Sequence, residues 1–200
     1  ENNEDSLLLL SSEGLVAVAD GMGGHSCGDL ASRFALESLA EFFLAPEGEE
    51  GVTWPMATMT DSDPARSRLV AGIRYSDHRL KVKKSQTPGC RDMGTTIVAA
   101  LLHGGQVHLA HIGDSRIYLY RDGAIGCLTQ DHSLANDPSM GEVPWLSAEE
   151  KRRRLGHILT RCLGVGTERK VDIPLSTVTL HPGDRFLLCT DGLSDLVEDE

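Results

Sequence analysis

Three apolar runs in this sequence each end on an aspartate with glycine beside it. Residues 16–19 lead into Asp20 and Gly21, residues 107–112 into Gly113 and Asp114, and residues 186–189 into Thr190, Asp191 and Gly192. One such ending says little, because Asp-Gly is an ordinary way for a strand to turn. Three of them constrain the fold. Strands that share a sheet bring their ends to a common edge, so these carboxylates are expected to gather there. Asp195, one helical turn after Asp191, and the acidic pair Glu4 and Asp5, just before the first strand, join them. Like charges brought together shift their pKa values or need a cation, since burying them unpaired costs several kcal/mol.

The strand-like runs come in blocks. "DSLLLL" and "GLVAVAD" read as two strands joined by the turn "SSEG". From Gly28 to Leu44 the apolar spacing becomes helical, through Leu30, Ala31, Phe34, Ala35, Leu39, Phe42 and Phe43, and a second helix is expected from Pro64 to Lys84. Between them, residues 45–64 hold prolines, glycines and acids, and read as a surface loop. "TTIVAALL", "QVHLAHI" and "RIYLYRDG" are three strands with short connections, which predicts an antiparallel meander, with Asp122-Gly123 as a tight turn. Residues 128–144 look irregular. Ser147, with Glu150 three residues on, makes a capping box for a helix over "SAEEKRRRL". "DIPLSTVTL" and "DRFLLC" are two more strands linked by "HPGD", and the chain turns helical after "TDG". Strand blocks with helices between them favour an α+β fold with antiparallel sheets over a doubly wound parallel sheet.

Charge and composition narrow the function. Lys and Arg number 19 against 30 Asp and Glu, a net charge of -11, which argues against a nucleic-acid partner. No apolar run approaches the roughly 20 residues of a membrane span. Five cysteines, odd in number, widely spaced and without a C-x-x-C pair, predict a reduced intracellular protein with neither disulfide scaffold nor zinc site. His103 falls in a turn, and His108 and His111 have opposite strand parity, so they do not form a metal cluster. His132, after a strand, reads as structural. The basic run from Lys151 to Arg154 reads as a solvated helix face. Carboxylates without a Cys or His cluster suit hard divalent ions, Mg²⁺ or Mn²⁺. Bare backbone at Gly21, Gly23 and Gly24 lets a carbonyl reach a metal and leaves room for a bulky ligand. Two such ions close together suit phosphoester hydrolysis by an activated water.

With these residues in view, the order of motifs resembles the metal-dependent type 2C Ser/Thr protein phosphatase family, in its bacterial form. "NEDS", "VADGMGG", "GTTIVAALL", "HIGDSRIYLYRDG", "LTQDHSL", "ILTRCLG" and "PGDRFLLCTDGLSDLV" follow one another in the family's order across nearly the whole chain. The resemblance implies a four-layer αββα sandwich, two antiparallel sheets flanked by helices, as one domain over residues 1–200 that is incomplete at both ends. It implies that Asp20 bridges two Mg²⁺ or Mn²⁺ ions, that the Gly21 carbonyl binds one, and that Asp191 binds the other. Asp114 and Asp195 match residues that hold a third, looser ion. Glu4 and Asp5 match the acidic pair that binds or orients metal-bound water in catalysis.

The family's phosphate-binding arginine is expected before Glu1, and its last metal-binding aspartate after Glu200. Met22 stands where some relatives carry a histidine proposed as general acid. The implied activity is hydrolysis of phosphoserine and phosphothreonine in proteins, opposing a cognate Ser/Thr kinase in the cytoplasm, with no nucleic acid or membrane partner. The alternative is a regulatory pseudophosphatase that binds phosphoproteins without turnover, although such a module is expected to have lost the aspartates kept here. The segment holding Lys151 to Arg154 matches a variable flap beside the cleft, which gives the basic run a role in contacting acidic phosphoprotein substrates.

Overall fold

The computed structural model describes residues 3–23, 26–45, 63–140, 146–166 and 173–197. Strands β1 (Asp5–Leu10) and β2 (Leu15–Met22) form the expected hairpin, and its register sets Asp5 directly opposite Asp20. Helices α1 (Ser26–Leu44) and α2 (Pro64–Gln86) follow. Asp63 caps α2 by accepting from the Ala65 and Arg66 N–H groups, and Pro64 sits at the first helical position, where its missing N–H costs nothing. The expected loop between the helices falls almost wholly on residues 46–62, outside the described residues.

The remaining elements are β3 (Gly94–Thr95), β4 (Ile97–His103), β5 (Gln106–Ile112), β6 (Arg116–Arg121), β7 (Ala124–Cys127), α3 (Ala148–Leu155), β8 (Leu175–Thr179), β9 (Arg185–Cys189) and α4 (Asp191–Ser194). The larger sheet runs β1-β2-β4-β5-β8, with β3 also on β2, and the smaller runs β7-β6-β9. All the pairings are antiparallel. The capping box of α3 is present as the sequence predicts.

The expected α+β sandwich of two antiparallel sheets is therefore borne out. The apolar runs of β2, β4 and β5 are continuous because both faces of the larger sheet are covered. One face carries Leu15, Ala17, Ala19, Ile97, Ala99, Leu101, Ala110 and Ile112 against α1 and α2. The other carries Val98, Ala100, Val107 and Leu109 against Ile117, Phe186 and Leu188 of the smaller sheet. Each large side chain fully buried in these layers contributes about 1.5–3 kcal/mol of transfer free energy.

Two expectations are corrected. The predicted three-strand meander stops after two strands. β4 and β5 pair through the Gly104-Gly105 turn, but β6 leaves the sheet and pairs with β7 and β9 instead. The crossing is made at Gly113, whose φ of 105° is accessible to glycine and whose Cα lies against the Thr96 side chain, where no Cβ fits. β8 and β9 likewise belong to different sheets. Arg121, at the end of β6, straddles that second crossing. Its guanidinium donates two hydrogen bonds to Asp184 (2.8 and 2.7 Å) and one to the Thr179 carbonyl (2.8 Å).

The second correction concerns the cysteines. Cys27 and Cys90, 63 residues apart, are joined as a disulfide, while Cys127, Cys162 and Cys189 are free. Their spacing carries no local signal. The pair forms because the first turn of α1 meets the loop that follows α2. None of the described helices is long and apolar enough to cross a membrane.

Candidate metal centre

Asp20 is clamped by its backbone. Its N–H donates to Thr96 Oγ1 (2.9 Å), and its carbonyl accepts from the Thr96 N–H and from Thr95 Oγ1 (2.8 Å each). Thr96 Oγ1 also meets Ser115 Oγ at 2.7 Å, which links the end of β2 to the residue after Asp114. Thr95, Thr96 and Ser115 are buried, so these hydroxyls are fixed in place. In the sequence "TT" reads as the start of a strand, and nothing local marks its hydroxyls as partners of a backbone 75 and 76 residues away.

The neighbouring carboxylates close on Asp20 from three directions. Asp5 stands across the hairpin and accepts from Thr190 Oγ1 at 3.2 Å. Asp191 opens α4 immediately after Thr190, its carbonyl accepting from the Asp195 N–H (2.8 Å). Asp114 lies on the crossing between the sheets. Burial is the largest influence on Asp20 and lifts its pKa from 3.8 to about 8, with the charges of Asp191, Asp5 and Asp114 adding to it. Asp114 is pushed up to about 6, again first by burial and then by Asp191, with Asp131 and Asp195 contributing. Asp5 is raised by partial loss of water and by Asp191, with the Thr190 hydroxyl opposing the shift. The predicted residues Asp5, Asp20, Asp114 and Asp191 are thus brought within mutual electrostatic reach. Asp195 stands further out, exposed, and acts on Asp114.

Glu4 and Gly21 belong to the same wall. The Gly21 N–H donates to the Glu4 carbonyl (3.1 Å), which also accepts from Ser32 Oγ (2.6 Å). A Cβ on Gly28 would collide with the Glu4 carboxylate and crowd the Gly21 carbonyl, and a Cβ on Gly21 would collide with the Gly28 carbonyl. Glycine at both positions lets α1 approach until a carboxylate oxygen and a backbone oxygen lie side by side. Gly28 was read only as the start of a helix.

Behind Asp114, His132 grips Gly113 twice. Its Nδ1 accepts from the Gly113 N–H (3.1 Å), and its own N–H donates to the Gly113 carbonyl (2.9 Å). The ring stacks on His111 at 4.7 Å, and His111 Nε2 bonds the Gln130 carbonyl (2.9 Å). Burial lowers the His111 pKa, which keeps the ring neutral. His108 lies on the opposite face of β5, against Thr177 and Asp63. The strand-parity argument against a histidine metal site therefore holds.

The sequence profile of the protein phosphatase 2C family matches residues 1–200. The chain belongs to the protein phosphatase 2C family. Among its relatives, the serine/threonine protein phosphatase PstP of Mycobacterium tuberculosis is 34% identical over 203 residues, covering 100% of this chain and 35% of its own length. The serine/threonine phosphatase stp of Listeria monocytogenes is 35% identical over 188 residues, covering 92% of this chain and 68% of its own. This chain therefore spans about a third of the mycobacterial relative. A crystal structure of the catalytic domain of PstP in complex with two manganese ions superposes with a TM-score of 0.75 at 33% identity, over 99% of this chain and 75% of that one.

Proposed function

We propose that residues 1–200 are the larger part of one catalytic domain that hydrolyses phosphoserine and phosphothreonine in proteins, dependent on Mg²⁺ or Mn²⁺. The observation that carries this reading is Asp20. Its carboxyl is lifted to about 8 by burial and by three carboxylate neighbours, a cost that bound divalent cations remove. The donors fit such ions: they are all oxygens, from carboxylates and a backbone carbonyl. Among the described residues no group of three His, Cys, Asp or Glu side chains is close enough to hold an ion by itself. Mg²⁺-like ions keep several waters and take one or two carboxylates each, so they do not require three such side chains.

In this reading Asp20, the Gly21 carbonyl, Glu4 and Asp191 would hold two cations, Asp114 and Asp195 would hold a third, and Asp5 would orient water. When bound, the cations supply an activated water as nucleophile and hold the charge of the transferring phosphoryl group. The chain's own residues prepare the geometry. Thr95 and Thr96 fix the Asp20 backbone, Thr190 aims Asp5, and the glycines at 21 and 28 keep side chains out of the wall. Lys151 and Arg152 line a cavity of about 470 Å³ with Arg116, Asp131 and Ser133, which suits contact with acidic stretches of a phosphoprotein. The physiological setting is opposition to a Ser/Thr kinase in the cytoplasm. A binding module without turnover would gain nothing from holding Asp5, Asp20 and Asp114 where burial and neighbouring charge raise their pKa values.

The test is p-nitrophenyl phosphate hydrolysis by the full-length protein with Mn²⁺ and with a chelator, repeated for Asp20→Ala and Asp191→Ala. Loss of at least about 100-fold in kcat is expected in each variant. Activity retained in either would overturn the reading.

A further inference from the structure

We propose that Cys27 and Cys90 form a reversible thiol–disulfide site whose state sets the divalent-cation affinity of the centre beside it; this rests on the metal-dependent reading above. The bridge joins the first turn of α1 to the loop after α2. Cys27 immediately precedes Gly28, where a Cβ would collide with the Glu4 carboxylate and crowd the Gly21 carbonyl, so both groups lie close against α1 at this point. On the other side, the Cys90 carbonyl accepts from the Met93 N–H (3.2 Å), and Met93 packs its backbone against Gly23. Gly94 and Thr95 then pair with Met22 and Gly21, and Thr95 Oγ1 donates to the Asp20 carbonyl.

The disulfide thus closes a ring. One arc runs from Asp20 and Gly21 to Cys27, the other from Cys90 to Thr95, and the β2–β3 pairing completes it. While the bond is intact, the start of α1 is tied to the loop after α2, and the position of Gly28 backs the Glu4 carboxylate and the Gly21 carbonyl. With the bond cut, the start of α1 is released from the loop, and the two oxygens lose their common backing. Ions that demand near-octahedral geometry bind such a loosened set less well.

The site is placed for chemistry. Both cysteines are mostly covered, at 7% and 8% exposure, but Pro88, Gly89, Arg91 and Asp92 around Cys90 are exposed, and a side chain added at Gly89 would meet open space. Reduction proceeds by exchange with a dithiol. One reductant thiolate attacks Cys90 or Cys27, the S–S bond breaks, and the second thiol resolves the mixed disulfide. Two electrons pass to the cysteine sulfurs and the reductant leaves as its own disulfide. Oxidation is the reverse exchange, with a small-molecule disulfide as acceptor and two small thiols released.

The experiment is Mn²⁺ titration calorimetry on the full-length protein in three forms: oxidised, reduced with dithiothreitol and freed of it anaerobically, and Cys27→Ala/Cys90→Ala. Differential alkylation and mass spectrometry score the bond, and a thermal melt scores the fold. Reduced and double-variant proteins are expected to melt cooperatively and to bind Mn²⁺ at least tenfold more weakly than the oxidised form. Reoxidation restores affinity in the native sequence alone. Equal affinity in the oxidised and reduced forms would overturn the proposal. So would both thiols remaining free in oxidising buffer, or a reduced protein that no longer folds, since the bridge would then be a staple. Because metal binding is read directly, a protein that binds Mn²⁺ in this redox-dependent way but hydrolyses nothing would sink the phosphatase reading and leave this one standing.

Discussion

The raised pKa of Asp20 makes a prediction about stability that needs no substrate. In the unfolded chain this carboxyl titrates near 3.8; in the folded, metal-free protein it titrates at about 8. The folded state holds the proton more tightly, so its contribution to stability is full below about pH 4 and is lost as the pH climbs through about 8. Four pH units at about 1.36 kcal/mol each give a ceiling of about 5–6 kcal/mol. Asp20 is only half-buried, and solvent screening reduces that to about 2–3 kcal/mol. For a chain of this size the loss corresponds to a fall in Tm of about 5–10 °C. Asp114 adds a smaller loss of the same sign between about pH 4 and 6. Calorimetric melts of wild type and Asp20→Asn at pH 5 and 8.5, with chelator and with excess Mn²⁺, isolate the effect. The metal-free wild type is expected to lose more stability across this range than Asp20→Asn, which keeps only the smaller loss due to Asp114. Mn²⁺ at about 100 times its Kd should restore about 2.7 kcal/mol to the wild type at pH 8.5 and much less to the variant. A metal-free wild type whose Tm matches the variant's at both pH values would refute the argument.

Two substitutions probe the walls of the same site. Gly28→Ala drives a methyl into the Glu4 carboxylate and to 2.9 Å from the Gly21 carbonyl, so both oxygens must shift; Mn²⁺ affinity by calorimetry should fall about 10–100-fold, with a loss of about 1–3 kcal/mol in urea unfolding. His132→Phe keeps a ring against His111 but leaves the Gly113 N–H without its acceptor. Urea unfolding should show a loss of about 1–3 kcal/mol, and kcat for p-nitrophenyl phosphate should fall with it because Asp114 loses its backing.

Much of the centre was legible because its aspartates announce themselves locally. Asp20, Asp114 and Asp191 each sit where an apolar period-2 run gives way to glycine or a short polar residue, and that pattern survives without any knowledge of tertiary pairing. The hairpin of β1 and β2 and the helices α1 and α2 were legible for the same reason. The destination of β6 was not. A turn that keeps a strand in its sheet and a turn that sends it to another are both short and glycine-bearing. What decides between them is the contact of Gly113 with Thr96, two residues 17 positions apart that meet only in the folded state. The Cys27–Cys90 pairing and the clamp of Thr95 and Thr96 on Asp20 are equally non-local. The two threonines looked like ordinary strand formers because β-branching is a propensity visible in sequence, whereas the target of a hydroxyl is not.

The acidic residues do not all come from one layer. Asp5 and Asp20 ride on the larger sheet, Asp191 begins the helix leaving the smaller one, and Asp114 sits on the chain that passes between them. An ion held among them would act as a rivet through two plates, and its removal would free one sheet to slide over the other. Metal loss should therefore be felt at the seam between the sheets, as greater mobility of the methyl groups of Val98, Ala100, Ile117 and Leu188 measured by NMR relaxation, while amide protection within each sheet persists.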